Sequence, residues 1–370
     1  MAKKNKQSSK FLLLLKIILV IAIIAGLGFV YIKFFYGDKG LKITTWNNKY
    51  NENNIRLTYQ ESAPQSIKDL DSIYKISNQI TANSSEISKA LQAETFLKSI
   101  ADIDNTVEET TKNNGYDIIK DMGGRKKLSE RDMAIVQRDI LIDLGFKVRI
   151  GELKKESPQF QKKPDYYVIE YWSKNYNKWV MLDFKDLGYF EKDDIPQSAM
   201  EVLDSKLDDL TYIGKSAQKT YKAQIQPYLQ SYTVAIDNTL EQNNSKINLT
   251  YCTTKKNLDL KDGNKFIRPT LFTDNRVLFD KSPDDKVTST DYKAYIVLTK
   301  KKDDNQDYTY TINAYKDNAL INDFYIKIND DPVERISSGK DVTFDKGTYS
   351  IGLMLDGVNV VNNIVIVRDK

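Results

Sequence analysis

Histidine does not occur among the 370 residues, and cysteine occurs once, at Cys252. Whatever chemistry the chain performs is therefore not histidine chemistry, although histidine is the side chain best matched to moving protons near neutral pH. A lone cysteine forms no disulfide within the chain and builds no cysteine-based metal site. Zinc would have to be held by carboxylates alone, which is unusual. Calcium would need an acidic loop of the D-x-[DN]-x-[DN]-G kind, which the sequence lacks. These residues imply neither a metal nor a cofactor.

Elements that could position a site are legible in the middle of the chain. Residues 86–100 place Ile87, Ala90, Leu91, Phe96, Leu97 and Ile100 near helical period. Residues 132–144 are patterned more clearly, with Met133, Val136, Ile140 and Leu144 spaced 3, 4 and 4. Ser129 and Asp132 form an S-x-x-D start resembling a capping box, and Gly145 stops the helix. Two strand-like runs follow, 166–173 and 179–184, joined by a polar turn at 175–177 into an aromatic-faced hairpin.

This stretch resembles the transglutaminase-like branch of the papain-type cysteine peptidase superfamily. The carriers are GGRKKLSERDMAIVQRDILIDLGFKVR and, after it, DYYVIEYWSKNYNKWVMLDF. In that family a Gly-Gly turn precedes a catalytic cysteine at a helix N-terminus, and the helix ends in an LGF-x-x-R phrase. The next strand supplies histidine, and the strand after it supplies aspartate in a W-x-x-x-D phrase. Glu130 stands at the cysteine position here. Counting back from Ser173-Lys174, the histidine position falls on Tyr166, and a shift of one gives Tyr167. Asp183 alone keeps the family residue. The resemblance thus implies a degenerate triad. The family mechanism needs a thiolate paired with an imidazolium, and a tyrosine of ordinary pKa near 10 is a weak general base.

Each of these residues also has a structural role to fill. Glu130 suits the first turn of a helix through the helix dipole, and Ser129 suits an N-cap. Tyr166 can pack in the hairpin, Asp183 can accept hydrogen bonds, and Trp172 and Trp179 can form core or cleft wall.

The N-terminus reads as a membrane anchor. Residues 11–32, FLLLLKIILVIAIIAGLGFVYI, would span about 33 Å as a helix, against a bilayer core of about 30 Å. Five lysines and no acid in residues 1–16 would hold the N-terminus in the cytoplasm and the C-terminus outside. The run is longer than a signal-peptide core, and no A-x-A site follows it. Removing those five from the 55 basic residues leaves 50 against 51 acidic ones, which gives no electrostatic reason to expect nucleic acid. The Lys-, Asn- and Ile-rich, proline-poor composition fits a bacterial chain from an AT-rich genome.

The expected fold class is α+β: a basic tail (1–10), a transmembrane helix (11–32), a stalk or loosely packed lead-in with room for one helix (33–85), a transglutaminase-like α+β domain (86–230) and a C-terminal all-β Ig-like sandwich (245–370). The sandwich expectation rests on strand-like runs at 293–299, 308–315, 324–328, 349–355 and 360–367, with polar turns between them and a hairpin signal at Asp356-Gly357. The expected function is that of a membrane-anchored, extracytoplasmic pseudoenzyme at the cell envelope, a binding or scaffolding module rather than an enzyme. Its former cleft, near Glu130, Tyr166, Tyr167, Trp172, Trp179 and Asp183, would hold a protein, a peptide or a cell-wall component. Two alternatives stay open. One is a structural or adhesion protein worked by its β-domain. The other is an enzyme using Glu130 and Asp183 as a carboxylate pair, which requires an open cleft with the carboxyls about 5–10 Å apart.

Overall fold

The computed structural model describes residues 15–20, 22, 24, 26, 41–46, 49–155, 165–242, 246–252, 258–259, 269–286, 290–301 and 308–368. The expected membrane anchor is corrected at the outset. Among the described residues no helix is long and apolar enough to cross a membrane. A span needs about 20 consecutive helical residues, and the unbroken helical stretch described in that run is 15–20. The remainder of 1–40 lies outside the described residues. The single-pass topology and the extracytoplasmic placement inferred from it fall with the anchor.

The rest is α+β, and its two sheet systems do not divide where the sequence suggests. Strand β1 (Leu41–Trp46) pairs antiparallel with the last strand of the chain. After it, Ile55, Leu57 and Tyr59 are buried in one core and Ile67, Leu70, Ile76 and Ile80 in another. Segment 41–80 is thus packed into the body of the protein, where a loosely packed stalk was expected.

Three helices follow: α1 (Glu86–Ile100), α2 (Gly115–Met122) and α3 (Glu130–Asp143). Ser129 caps α3 by accepting the Asp132 backbone N–H at 3.1 Å. The capping box is not closed in return. The Asp132 carboxylate instead accepts from the Thr110 backbone and hydroxyl, both at 3.0 Å, and so ties the preceding loop to the helix. Helix α3 is buried on almost every side, charged residues included. Asp139, for example, accepts from Arg138 at 2.8 Å and from the Gly115 N–H at 2.7 Å.

A six-stranded sheet lies against α3. Its strands are β2 (Val148–Lys154), β3 (Asp165–Ser173), β4 (Lys178–Leu182), β5 (Ser231–Ala235), β6 (Asn248–Cys252) and β7 (Thr270–Thr273). The order is β7-β6-β5-β2-β3-β4, antiparallel except for the β6/β7 pair. The sheet therefore runs past the expected boundary at 230–245, because β5, β6 and β7 complete it. Helices α4 (Ala199–Ser205) and α5 (Gln218–Ile225) belong to the intervening chain.

Every residue of β3 is buried, so both faces of the sheet are covered there. Alternation sends Tyr167, Ile169 and Tyr171 into the core shared with α3, and Tyr166, Val168 and Trp172 into the opposite core. Trp172 lies opposite Trp179 in the ladder, with ring centroids 5.5 Å apart. Both rings are interior packing.

Gly151 of β2 leaves room for Tyr232 of β5. A Cβ at position 151 would come within 2.3 Å of the Tyr232 hydroxyl and 2.4 Å of its ring. The ring cannot swing aside easily, because its hydroxyl is hydrogen-bonded to the buried Glu170. Gly151→Ala is expected to cost about 2–3 kcal/mol by overpacking, read as a lowered urea midpoint.

The C-terminal strands β8 (Tyr295–Lys300), β9 (Thr309–Lys316), β10 (Asp323–Ile328), β11 (Glu334–Ser337), β12 (Lys340–Thr343), β13 (Gly347–Met354) and β14 (Val360–Arg368) form two sheets. One contains β1-β14-β13-β10-β11, with Leu258–Asp259 on its edge. The other is built on β8 and β9, with β12 on β9. Leu41, Phe324, Leu353 and Ile366 from the first share a core with Ile296, Leu298, Tyr310 and Ile312 from the second.

Candidate functional site

Glu130 is the first residue of α3, and its Oε1 accepts the Tyr167 backbone N–H at 3.0 Å. The same oxygen accepts from Lys185 Nζ at 2.8 Å. On the other face of β3, the Tyr166 hydroxyl donates to Asp183 Oδ2. The Tyr221 hydroxyl, from α5, donates to that oxygen at 2.6 Å. Asp183 Oδ1 accepts the Lys185 backbone N–H at 2.9 Å. The Lys185 ammonium lies 3.8 Å from Asp183 Oδ1 and 3.1 Å from the centre of the Tyr166 ring.

The three triad-like positions therefore converge, though Tyr166 and Asp183 lie 17 positions apart in sequence and Glu130 and Tyr166 lie 36 apart. Tyr166 and Asp183 bond directly. Glu130 joins them through Lys185, whose ammonium takes the space between the first and second positions. Tyr167 contributes its backbone N–H and carbonyl, the latter accepting from Lys185. Sequence reasoning missed Lys185 and Tyr221. Lys185 stands two residues beyond Asp183, where nothing marks it off from other lysines. Tyr221 arrives from a helix with no motif around it.

The site is closed. Glu130 is 5% exposed, Tyr166 3% and Asp183 0%. The open cleft required for a carboxylate pair is not found between Glu130 and Asp183, and a lysine ammonium stands there instead. Burial raises the Tyr166 hydroxyl pKa, and the adjacent Asp183 carboxylate raises it further. Tyr221 is shifted up for the same two reasons. Both phenols therefore hold their protons and act as donors to Asp183. Cys252 lies on β6 of the sheet rather than in the C-terminal body, and burial pushes its thiol up to about 12. Among the described residues no cluster of acidic or cysteine side chains is arranged to hold a metal ion.

Behind the site, Glu94 of α1 is 0% exposed, and among the described residues neither carboxylate oxygen has a hydrogen-bond partner. Burial raises its pKa well above the usual carboxylate range, the nearby Asp183 adds to the rise, Lys98 opposes it and Asp186 adds a smaller push. Below the ordinary carboxyl pKa, Glu94 is protonated both folded and unfolded. As pH rises through that value the unfolded chain ionises first, so this contribution to stability falls with rising pH. Glu94→Met is expected to raise stability by about 1–3 kcal/mol near pH 3, where the unbonded carboxyl is neutral, and by more at neutral pH, where the ionisation contribution is added. Thermal melts of both proteins across pH 3–8 test it, and an equal gain at every pH would remove the ionisation account.

Beside this closed site an open cleft of about 190 Å³ lies between α3 and the sheet, and Tyr167 forms part of its lining. Compared with protein-family models, with curated proteins and with solved structures, the chain matches none.

Proposed function

We propose that the chain is a non-catalytic binding or scaffolding module, built on a core that resembles a transglutaminase-like domain whose triad has become structural. One observation carries this reading: a lysine ammonium, two tyrosine hydroxyls and two carboxylates fill the place where nucleophile and base would meet a substrate. Lys185 neutralises Glu130, and Tyr166 and Tyr221 hold Asp183. No thiolate or imidazole is present to attack or deprotonate, and the remaining groups are bonded to one another. The convergence of Glu130, Tyr166 and Asp183 supports the resemblance, since the pattern that located them in sequence also brings them together in space.

The test is an amide-hydrolysis and acyl-transfer assay on the purified chain with glutamine-containing peptides. No turnover is expected. Turnover that disappears in Asp183→Asn or Tyr166→Phe would overturn the proposal.

A further inference from the structure

Lys185 stands where an amine can meet a carboxyl carbon. Its Nζ is 2.8 Å from Oε1 of Glu130, and it also donates to the Tyr167 carbonyl, so both ends of the pair are held against the same strand. The two side chains are 12% and 5% exposed. Among the described residues, the lysine next in burial within an ion pair is Lys154, which lies farther from its carboxylates, 3.7 Å from Glu152 and 3.6 Å from Asp165.

A third carboxylate adjoins this pair. Asp183 Oδ1 is 3.8 Å from the Lys185 Nζ, and the Asp183 side chain is 1% exposed. Three donors fix it: the Tyr166 and Tyr221 hydroxyls on Oδ2 and the Lys185 backbone N–H on Oδ1. Rings flank the ammonium, with the centre of Tyr166 at 3.1 Å and that of Phe184 at 5.2 Å. The Tyr167 N–H donates to Glu130 Oε1 at 3.0 Å, and Glu130 opens helix α3, where the helix dipole favours negative charge. Amine, carboxyl, proton carrier and oxyanion donor are thus held together away from water, and proximity of this kind removes much of the barrier to bond formation.

We propose that Lys185 and Glu130 join in an intramolecular amide, a covalent cross-link between the start of α3 and the turn after β4. The ammonium gives one proton to the Glu130 carboxylate, leaving an amine and a carboxylic acid. Nζ attacks Cδ, the C–N bond forms, and the C=O electron pair moves onto Oε1, where the Tyr167 N–H receives the charge. Asp183 takes a proton from Nζ and returns it to the acid hydroxyl. The C–O bond breaks, water leaves, and the carbonyl re-forms. One of the three ammonium protons stays on the amide and two leave with the water, so nothing is oxidised or reduced and Asp183 ends as it began. The product removes two charges from an interior where each charge is costly.

The amide would complete the structural reading of the site and rests on that reading, but it is tested separately. By mass spectrometry the unfolded whole chain should be lighter than its sequence requires by one water. Trypsin should release residues 128–131 joined to residues 179–192, uncut after Lys185. Lys185→Arg, which keeps a cation beside Glu130, should retain its full mass and serves as the ion-pair reference for stability measurements at this site. Asp183→Asn, which keeps amine and carboxyl but loses the proton carrier, should leave most chains at full mass. If either variant does not fold, the joined peptide from the unaltered chain decides. An unaltered chain at full mass, or a missing water that maps to other residues, overturns the cross-link. Complete cross-linking in Asp183→Asn overturns the role given to Asp183. Turnover in the acyl-transfer assay would overturn the module reading and leave this mass result standing.

Discussion

Arg149→Met is expected to destabilise the fold by about 3–5 kcal/mol, the cost of leaving a buried charge without its partner. Arg149 and Glu170 are both 0% exposed, on neighbouring strands β2 and β3. Two guanidinium nitrogens reach Glu170, at 2.6 and 2.7 Å. The guanidinium also donates to the Phe279 carbonyl at 2.8 Å and stacks 4.1 Å from the Trp179 ring centre. Glu170 in turn accepts from the Tyr232 hydroxyl and from the Ala199 N–H at 2.8 Å, at the start of α4. One ion pair thus joins three strands, a helix start and the segment around Phe279.

Methionine keeps much of the side-chain volume, so the loss would report charge rather than a cavity. The double variant Arg149→Met with Glu170→Gln should recover part of the loss, because a neutral amide still accepts from Tyr232 and Ala199. Urea unfolding of the two variants measures the difference. A loss under about 1 kcal/mol for the single variant would mean that Glu170 is solvated in its absence, as at a surface pair.

Lys185→Met should be the next most damaging change, at about 3 kcal/mol. It removes the ammonium that neutralises Glu130 and sits over the Tyr166 ring. Asp183 would still accept from two hydroxyls and a backbone N–H, so the uncompensated charge would be chiefly that of Glu130. Adding Glu130→Gln should therefore restore most of the stability, whereas adding Asp183→Asn should not. That contrast, measured by denaturant midpoints in a double-mutant cycle, separates a specific Glu130–Lys185 pair from general disruption of the site. Equal rescue by both would show that the charge is shared.

How much of this was legible beforehand depended on the range of the interaction. The start of α3 was readable because a cap is a local hydrogen bond: Ser129 and the Asp132 N–H are three residues apart. The β3–β4 hairpin was readable for the same reason, with a polar turn between two apolar runs. The far arm of the capping box was misread because Asp132 prefers Thr110, a partner whose approach no local pattern records. The anchor was read from hydropathy, run length and the lysines before it, whereas among the described residues no helix is long and apolar enough to cross a membrane. The boundary at 230–245 also failed. Strands β5, β6 and β7 look like any short β-runs, and nothing in their composition says which sheet they join.

The sequence by itself determined what chemistry is absent, since no folding supplies an imidazole that the chain does not encode. The resemblance read from it, rather than composition or spacing, grouped Glu130, Tyr166 and Asp183, which meet in the structure. Only the tertiary structure decided what those positions do. Strand alternation turned Tyr166 to one face and Tyr167 to the other, and a turn brought Lys185 between two carboxylates. A helix from residues 218–225 then delivered Tyr221 to Asp183. Burial made these contacts binding, because a charge taken from water must find its partner within the protein.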